Sequence, residues 1–322
     1  MKKIAIIATG GTIAGRGASG MTTNYKAGRI PVSEILRSIP DVSDRFKISL
    51  YSLMSIDSNE MGLNQWVLLK KTIEDIVASS AVDGVVITHG TDTIEETAYF
   101  LTLTLHTEKP VVLTGAMRPA TAASADGPFN LYQAICLAGS SKAVGQGVLA
   151  LFSSTIYSGR DIQKISNYKI DAFDKANTAL GFMKDDEVYF NTTQNKKHTM
   201  GSLFSTMPLD HLPEVDIISY FAGARASLLD TGAKGIVIMG SGMGNYSKAW
   251  YEEMKILHQK GVYFVRASRV LDGIVFGDDV FDPDHICINA FTLSAHKSRI
   301  LLMLSLAYTK NLEKIQEIFT EY

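Results

Sequence analysis

Four short apolar runs, at residues 4–8, 84–88, 111–114 and 148–152, limit the folds open to this chain more than any other feature. Each is rich in Val and Ile and is continuous rather than alternating, which suits strands buried on both faces of a parallel sheet. Between them lie helical patterns. Over 66–77 the apolar positions Trp66, Leu69, Ile73, Ile76 and Val77 recur at helical spacing, and 94–105 and 131–138 read the same way. Strands alternating with helices predict an α/β fold with right-handed crossovers. A polar stretch follows from Asn191, contains Asn195-Lys196-Lys197-His198, and ends with Pro208 and Pro213. It reads as a linker. Beyond it, strands are predicted at 216–220, 236–239 and 262–265, and helices at 248–258 and 298–306. The expected architecture is two α/β domains with mostly parallel sheets: a larger one over 1–190, a linker over 191–212 and a smaller one over 213–322.

Composition narrows the function classes. At 322 residues and 46% hydrophobic, the chain has ample material for two cores. Its 31 basic and 33 acidic residues give a net charge of −2, which lacks the basic face of a nucleic-acid binder. No apolar run approaches the roughly 18 residues that would cross a bilayer. Lys2 and Lys3 precede only five apolar residues, too few for a secretory leader. This start reads as a first strand and the chain as cytoplasmic; a secreted protein trimmed of its leader and restarted with Met would read the same. Cys136 and Cys287, far apart in sequence, are expected to be free buried thiols. No CxxC or HExxH spacing suggests a metal.

In open α/β sheets, ligands bind beyond the carboxyl ends of the strands. Four loops there are glycine-rich: Thr9-Gly10-Gly11-Thr12-Ile13-Ala14-Gly15, His89-Gly90-Thr91-Asp92-Thr93, Gly115-Ala116-Met117-Arg118-Pro119 and Gly240-Ser241-Gly242-Met243-Gly244-Asn245. Gly15-Arg16-Gly17-Ala18-Ser19-Gly20 fits GxGxxG literally, but it begins seven residues past Ala8 and does not open a helix, so a dinucleotide site is not expected. Threonine is the unusual feature. Thr9, Thr12, Thr88, Thr91 and Thr93 crowd two strand ends, with Asp92 among them. Helix capping is the plain explanation for Thr93 or Asp92, with Glu96 as a capping-box partner of Thr93. It does not account for two Gly-Thr loops at adjacent strand ends. A threonine hydroxyl is a weak nucleophile until a neighbour accepts its proton; Tyr25 and Lys164 are candidates that spacing alone does not place.

These loops resemble those of the bacterial-type L-asparaginases, including the homotetrameric asparaginase/glutaminase enzymes. The likeness runs through Ala8-Thr9-Gly10-Gly11-Thr12-Ile13-Ala14-Gly15 and Ile87-Thr88-His89-Gly90-Thr91-Asp92-Thr93-Ile94-Glu95-Glu96-Thr97. It continues in Gly115-Ala116-Met117-Arg118 and Ser124-Ala125-Asp126-Gly127-Pro128-Phe129-Asn130-Leu131, and extends over essentially the whole chain.

The resemblance implies hydrolysis of L-asparagine to L-aspartate and ammonia through an acyl-enzyme. By that resemblance Thr12 is the nucleophile, assisted by Tyr25 on the loop that follows, while Thr91, Asp92 and Lys164 form a hydrogen-bonded set. Asp92 also takes the substrate ammonium group and Ser58 its carboxylate; Gly11, Asn59, Gly90 and Ala116 complete the substrate contacts. Glycines at 15, 17, 20 and 28 suit a closing lid over 15–28. The family draws two further contacts from a neighbouring subunit, matched here by Asn245 and Asp279, which implies a homotetramer with active sites at subunit interfaces. No cofactor or metal is implied, and no nucleic-acid or membrane partner.

Asn59 and Asp279 are each one methylene shorter than the usual residues, so low glutaminase activity is expected. Two other readings are weaker. An ammonia-supplying subunit of a tRNA amidotransferase would need an added nucleic-acid-binding domain. A non-catalytic amino-acid sensor would not need a nucleophile and a lysine together. Trp66, Trp250 and the methionines are expected to pack in cores and 195–198 to be solvated, with Arg118 anchoring its loop or lying near an interface.

Overall fold

A computed structural model describes every residue except Asn24, Tyr25, Ala27, Ser80, Asp174 and Ala176. The chain divides into two compact units, Met1–Met207 and Pro208–Tyr322. The first is built on an eight-stranded sheet: β1 (Lys2–Gly10), β2 (Phe46–Ile56), β3 (Gly84–Thr88), β4 (Val111–Thr114), β5 (Val148–Phe152), β6 (Thr155–Ser158), β7 (Ala179–Lys184) and β8 (Glu187–Phe190). Their order is β2-β1-β3-β4-β5-β6-β7-β8. The first five are parallel and the last three join antiparallel.

The continuous apolar runs became β1, β3, β4 and β5, and the last three are buried along their whole lengths. The helices of this unit are α1 (Val32–Leu36), α2 (Leu63–Ser79), α3 (Ile94–Thr104) and α4 (Gly127–Gly139). Leu131, Ala134, Ile135 and Leu137 of α4 pack with Ile4, Ile6, Val86, Val112, Leu149 and Leu151 in one core. Trp66 of α2 is buried and stacks on Phe100 of α3 at 5.2 Å.

The antiparallel extension was not legible as hairpins. β5 turns into β6 through Ser153 (φ 48°) and Ser154 (φ 64°), two successive left-handed residues. Such turns normally carry Asn or Gly. β2 was missed for a different reason: it is an edge strand with Ser49, Ser52 and Ser55 exposed, so it forms no apolar run. Of the expected linker 191–212, residues as far as Met207 belong to the first unit, where Phe204 is fully buried and the Ser205 hydroxyl bonds His106.

The second unit has a four-stranded parallel sheet of β9 (Val215–Ser219), β10 (Gly235–Gly240), β11 (Tyr263–Ser268) and β12 (Cys287–Asn289), ordered β12-β11-β10-β9. It carries helices α5 (Lys248–Gln259), α6 (Ala295–Tyr308) and α7 (Leu312–Glu321). Trp250, Met254 and Leu257 of α5 pack on Ile236, Ile238 and Phe264. Gly235 admits Leu302 and Leu306 of α6. Both cysteines are free and buried. No helix among the described residues is long and apolar enough to cross a membrane.

Candidate active site

β2, β1, β3 and β4 lie side by side, and the loops leaving their carboxyl ends are 57–60, 11–15, 89–93 and 115–118. Chain order reverses between β1 and β3, and such a reversal opens a crevice at the strand ends. Glycine brings the loops together there. A Cβ on Gly10 (φ 116°) would lie 2.2 Å from the Ile56 carbonyl oxygen. One on Gly11 (φ 81°) would lie 2.4 Å from Gly90 N, and one on Gly90 2.8 Å from both Cβ and Oγ of Ser58. Thr12 follows in a one-turn helix, Thr12–Ala14, with only 7% of its surface exposed. Ala116 is fully buried beside Ile13 and Gly127.

Ser58 is buried in a second one-turn helix, Ser58–Glu60, capped by Asp57. The Asp57 carboxylate accepts Asn59 N–H at 2.9 Å and Asn59 Nδ2 at 2.7 Å, which folds the Asn59 side chain back on its own loop. Thr93 occupies the N-cap position of α3 but makes no capping bond. Its hydroxyl donates instead to the Ser58 carbonyl at 2.6 Å. The Thr93 hydroxyl therefore does not make its half of the expected capping box: it ties two loops together rather than satisfying a helix end.

Lysine 164 arrives from the loop after β6. Its Nζ donates to Thr91 Oγ1 at 2.9 Å and pairs with Asp92 Oδ1 at 2.5 Å. Thr91 is buried, whereas the Asp92 side chain is 57% exposed at the mouth. The set thus has a sheltered hydroxyl, a largely buried ammonium group and an open carboxylate.

Two buried supports hold the site loops. His89 is fully buried, with Nδ1 2.7 Å from the Gly90 carbonyl oxygen and Nε2 3.0 Å from Thr97 Oγ1. A carbonyl can only accept, so Nδ1 carries the proton. Burial pushes this imidazole down to about 4, which leaves Nε2 bare to accept from the Thr97 hydroxyl. Thr97 Oγ1 in turn accepts Trp66 Nε1–H at 2.9 Å. The second support is Asp126, whose two carboxylate oxygens accept the Met117 and Arg118 N–H groups at 2.9 Å each. One helical turn on, Asn130 Nδ2 holds the Gly115 carbonyl at 3.0 Å. Arg118 anchors its own loop through the Ser124 carbonyl at 3.1 Å.

Tyr25 lies outside the described residues. The described part of 15–28 doubles back through paired bonds between Arg16 and Lys26. It is tied to Thr121 by Gly17 N at 3.0 Å and Gly20 N at 2.9 Å. GxGxxG at 15–20 opens no helix.

Asn245 and Asp279 belong to the second unit. Asn245 sits between Gly244 (φ 84°) and Tyr246, its Oδ1 3.5 Å from Nη2 of the fully buried Arg266. The Asp279 side chain is exposed, 3.8 Å from His285 Nε2.

Residues 3–196 match the family described as Asparaginase, N-terminal, and residues 214–319 the Glutaminase/Asparaginase C-terminal domain. The chain belongs to the asparaginase family. It is 38% identical to L-asparaginase 2 of Escherichia coli (strain K12) over 328 residues, covering 100% of this chain and 94% of that one. To L-asparaginase 2 of Bacillus subtilis (strain 168) it is 41% identical over 330 residues, covering 100% and 87%. To the glutaminase-asparaginase of Acinetobacter glutaminasificans it is 38% identical over 328 residues, covering 99% of each. Among solved structures, a probable cytoplasmic L-asparaginase from Campylobacter jejuni superposes with TM-score 0.95 at 42% identity, over the full length of both chains.

In this asparaginase-family chain, the sequence alone does not assign His89, Thr97, Trp66, Asp126 or Asn130 a supporting role; Asp126 and Asn130, one helical turn apart within 124–131, carry the signal that could find them.

Proposed function

We propose that this chain hydrolyses L-asparagine to L-aspartate and ammonia through an acyl-enzyme on Thr12. The observation that carries this reading is the Lys164 Nζ bond to Thr91 Oγ1 beside its ion pair with Asp92, on the loop whose Gly90 touches Gly11. Thr12 Oγ1 attacks the amide carbon and its proton passes to a base, while backbone N–H groups of the two Gly-Thr loops face the developing oxyanion. The base returns that proton to the amide nitrogen as the C–N bond breaks, and ammonia leaves. Water then cleaves the ester and releases aspartate and the free Thr12 hydroxyl. Asp92 takes the substrate ammonium group and Ser58 its carboxylate, with Gly11, Asn59, Gly90 and Ala116 lining the site. The reaction as proposed calls on no metal or organic cofactor.

Ammonia release from L-asparagine and from L-glutamine, by the wild type and by Thr12→Ala, tests the reading. Turnover lost in a folded Thr12→Ala protein supports it; undiminished turnover overturns it. Tyr25 and the Thr91–Lys164 pair are the two candidate proton acceptors, and Tyr25→Phe against Lys164→Met separates them. A Tyr25→Phe variant with unchanged kcat removes both its role and the lid over 15–28 that would deliver it.

The substrate preference follows from Asn59 and Asp279. One L-asparaginase 2 and one glutaminase-asparaginase are both 38% identical to this chain, so similarity does not decide and residues must. Asn59 is short and its side-chain amide donates to Asp57, which limits what it can offer a bound substrate. Low glutaminase activity is the proposal, and comparable kcat/KM for both amides would sink it.

The proposed assembly is a homotetramer, a dimer of dimers, in which Asn245 and Asp279 reach a neighbour's site. Sedimentation gives the mass. Mixing Thr12→Ala with Asn245→Ala subunits after unfolding and refolding should restore activity if the two residues act from different chains. A cytoplasmic location is proposed from the unpaired cysteines and the Campylobacter jejuni likeness. A relative described as a probable periplasmic L-asparaginase in Haemophilus influenzae favours the alternative, and cell fractionation decides.

A further inference from the structure

Lys164 must travel far to reach its site. β6 runs antiparallel to β5 and ends with Ser158 beside Leu149, near the start of β5, so the chain leaves the sheet at the end opposite the four site loops. It returns along α3. Gly159 lies against that helix: a Cβ there would stand 2.3 Å from Thr102 Oγ1 and 2.8 Å from the Ala98 carbonyl oxygen. At the other end of the segment, the Lys164 backbone N–H donates to Glu95 Oε2 at 2.8 Å. Glu95, Ala98 and Thr102 are spaced by three and four residues and so share one face of the helix. That face is the track on which residues 159–164 climb from the second half of α3 to its first turn, where Thr91 and Asp92 wait.

We infer that Glu95 is a positioning residue for Lys164, acting through the main chain of the lysine rather than on substrate. Glu95 is 91% buried, and its carboxylate accepts the one backbone N–H that sets where the lysine side chain begins. Four rotatable bonds separate that N–H from Nζ, so two anchors are needed. Thr91 and Asp92 hold the tip, and Glu95 holds the root. A carboxylate in the first turn of α3 is also favoured there by the helix dipole, so the anchor does not strain the helix that carries it. The inference rests on the catalytic reading of Lys164 given above.

The test compares Glu95→Gln, Glu95→Asp and Glu95→Ala in the full chain, with Lys164→Met alongside. Glutamine keeps an acceptor at the same reach, and its kcat should stay within about threefold of wild type. Aspartate keeps the charge and the helix start but falls short of the Lys164 N–H. It and alanine should lose on the order of ten- to a hundredfold in kcat, as misplacement by an ångström does, with KM for asparagine within about threefold. With rates taken per mole of folded protein, kcat should fall in the aspartate variant and recover in the glutamine one, a pattern that mere loss of folded protein would not give. If alanine does not fold, the aspartate–glutamine contrast carries the test. Wild-type kcat in Glu95→Asp, beside an inactive Lys164→Met, overturns the inference alone. Full activity in Lys164→Met overturns it together with the catalytic reading of that lysine.

Discussion

The backbones of Gly11 and Gly90 meet with no room for a side chain between them: a Cβ on Gly11 would lie 2.4 Å from Gly90 N and 2.5 Å from its Cα. That contact brings the Thr12 loop and the Thr91 loop into one site. Gly11→Ala adds backbone atoms to avoid and a left-handed φ of 81° to sustain. The cost is expected to be about 2–4 kcal/mol, read as a drop in Tm, with turnover reduced at least as severely. Gly90→Ala meets the Ser58 side chain instead, and its main effect should be on KM. Wild-type kinetics in both variants would separate the two loops functionally.

His89 makes stability depend on pH. Its folded value, about 4, lies below the usual 6.5 because burial opposes the charged ring. Between those values the unfolded chain binds more protons than the folded one, so stability rises with pH across the window. It is fully present above about 6.5 and lost as pH falls towards 4, by roughly 3 kcal/mol at one ring's share. His89→Gln does not titrate there. Denaturant unfolding at several pH values should give a flatter line between pH 4 and 6.5 for the variant. An unchanged slope would place the titrating group elsewhere; His198, also pushed down by burial, would be next.

The parts of this molecule that the sequence made legible are those whose residue pattern has one physical solution. Doubly buried parallel strands must be continuous and apolar, and 84–88, 111–114 and 148–152 became strands with those bounds. β2 escaped because an edge strand needs only one covered side, and its serines face outwards. The Ser153-Ser154 turn escaped because its conformation is imposed by the strands it joins rather than announced by glycine. In the site, the family resemblance points to Thr91, Asp92 and Lys164, which do meet. Thr93 was legible as a helix-start residue, yet its hydroxyl serves a loop 35 residues away, and no local pattern encodes such a partner. The same is true of His89 and Thr97, whose spacing of eight is unremarkable until a helix folds back over the strand end.

Asp126 is expected to matter through shape. Its carboxylate satisfies the Met117 and Arg118 N–H groups together, fixing the loop that presents Ala116. Asp126→Ala strands both donors, at a cost of about 2–4 kcal/mol. Asp126→Asn turns an amide NH2 towards one of them and should fall between. Thermal unfolding and asparagine kinetics should decline in that order. Equal Tm for wild type and alanine would show that water replaces the carboxylate without loss.

Thr93→Val discriminates between two roles for one hydroxyl. Valine keeps the shape and removes only the bond to the Ser58 carbonyl. If Thr93 were capping α3, the loss would appear as about 1 kcal/mol of stability with binding untouched. It makes no capping bond, so the effect belongs to Ser58 instead. Ser58 is the proposed carboxylate contact, and a net hydrogen bond of about 1 kcal/mol corresponds to roughly a fivefold change in an equilibrium constant. KM for asparagine should therefore rise about fivefold while kcat stays near wild type, because the Thr91–Asp92–Lys164 set is not touched. An equal fall in kcat at constant KM would mean that the Ser58 loop acts on the transition state rather than on bound substrate.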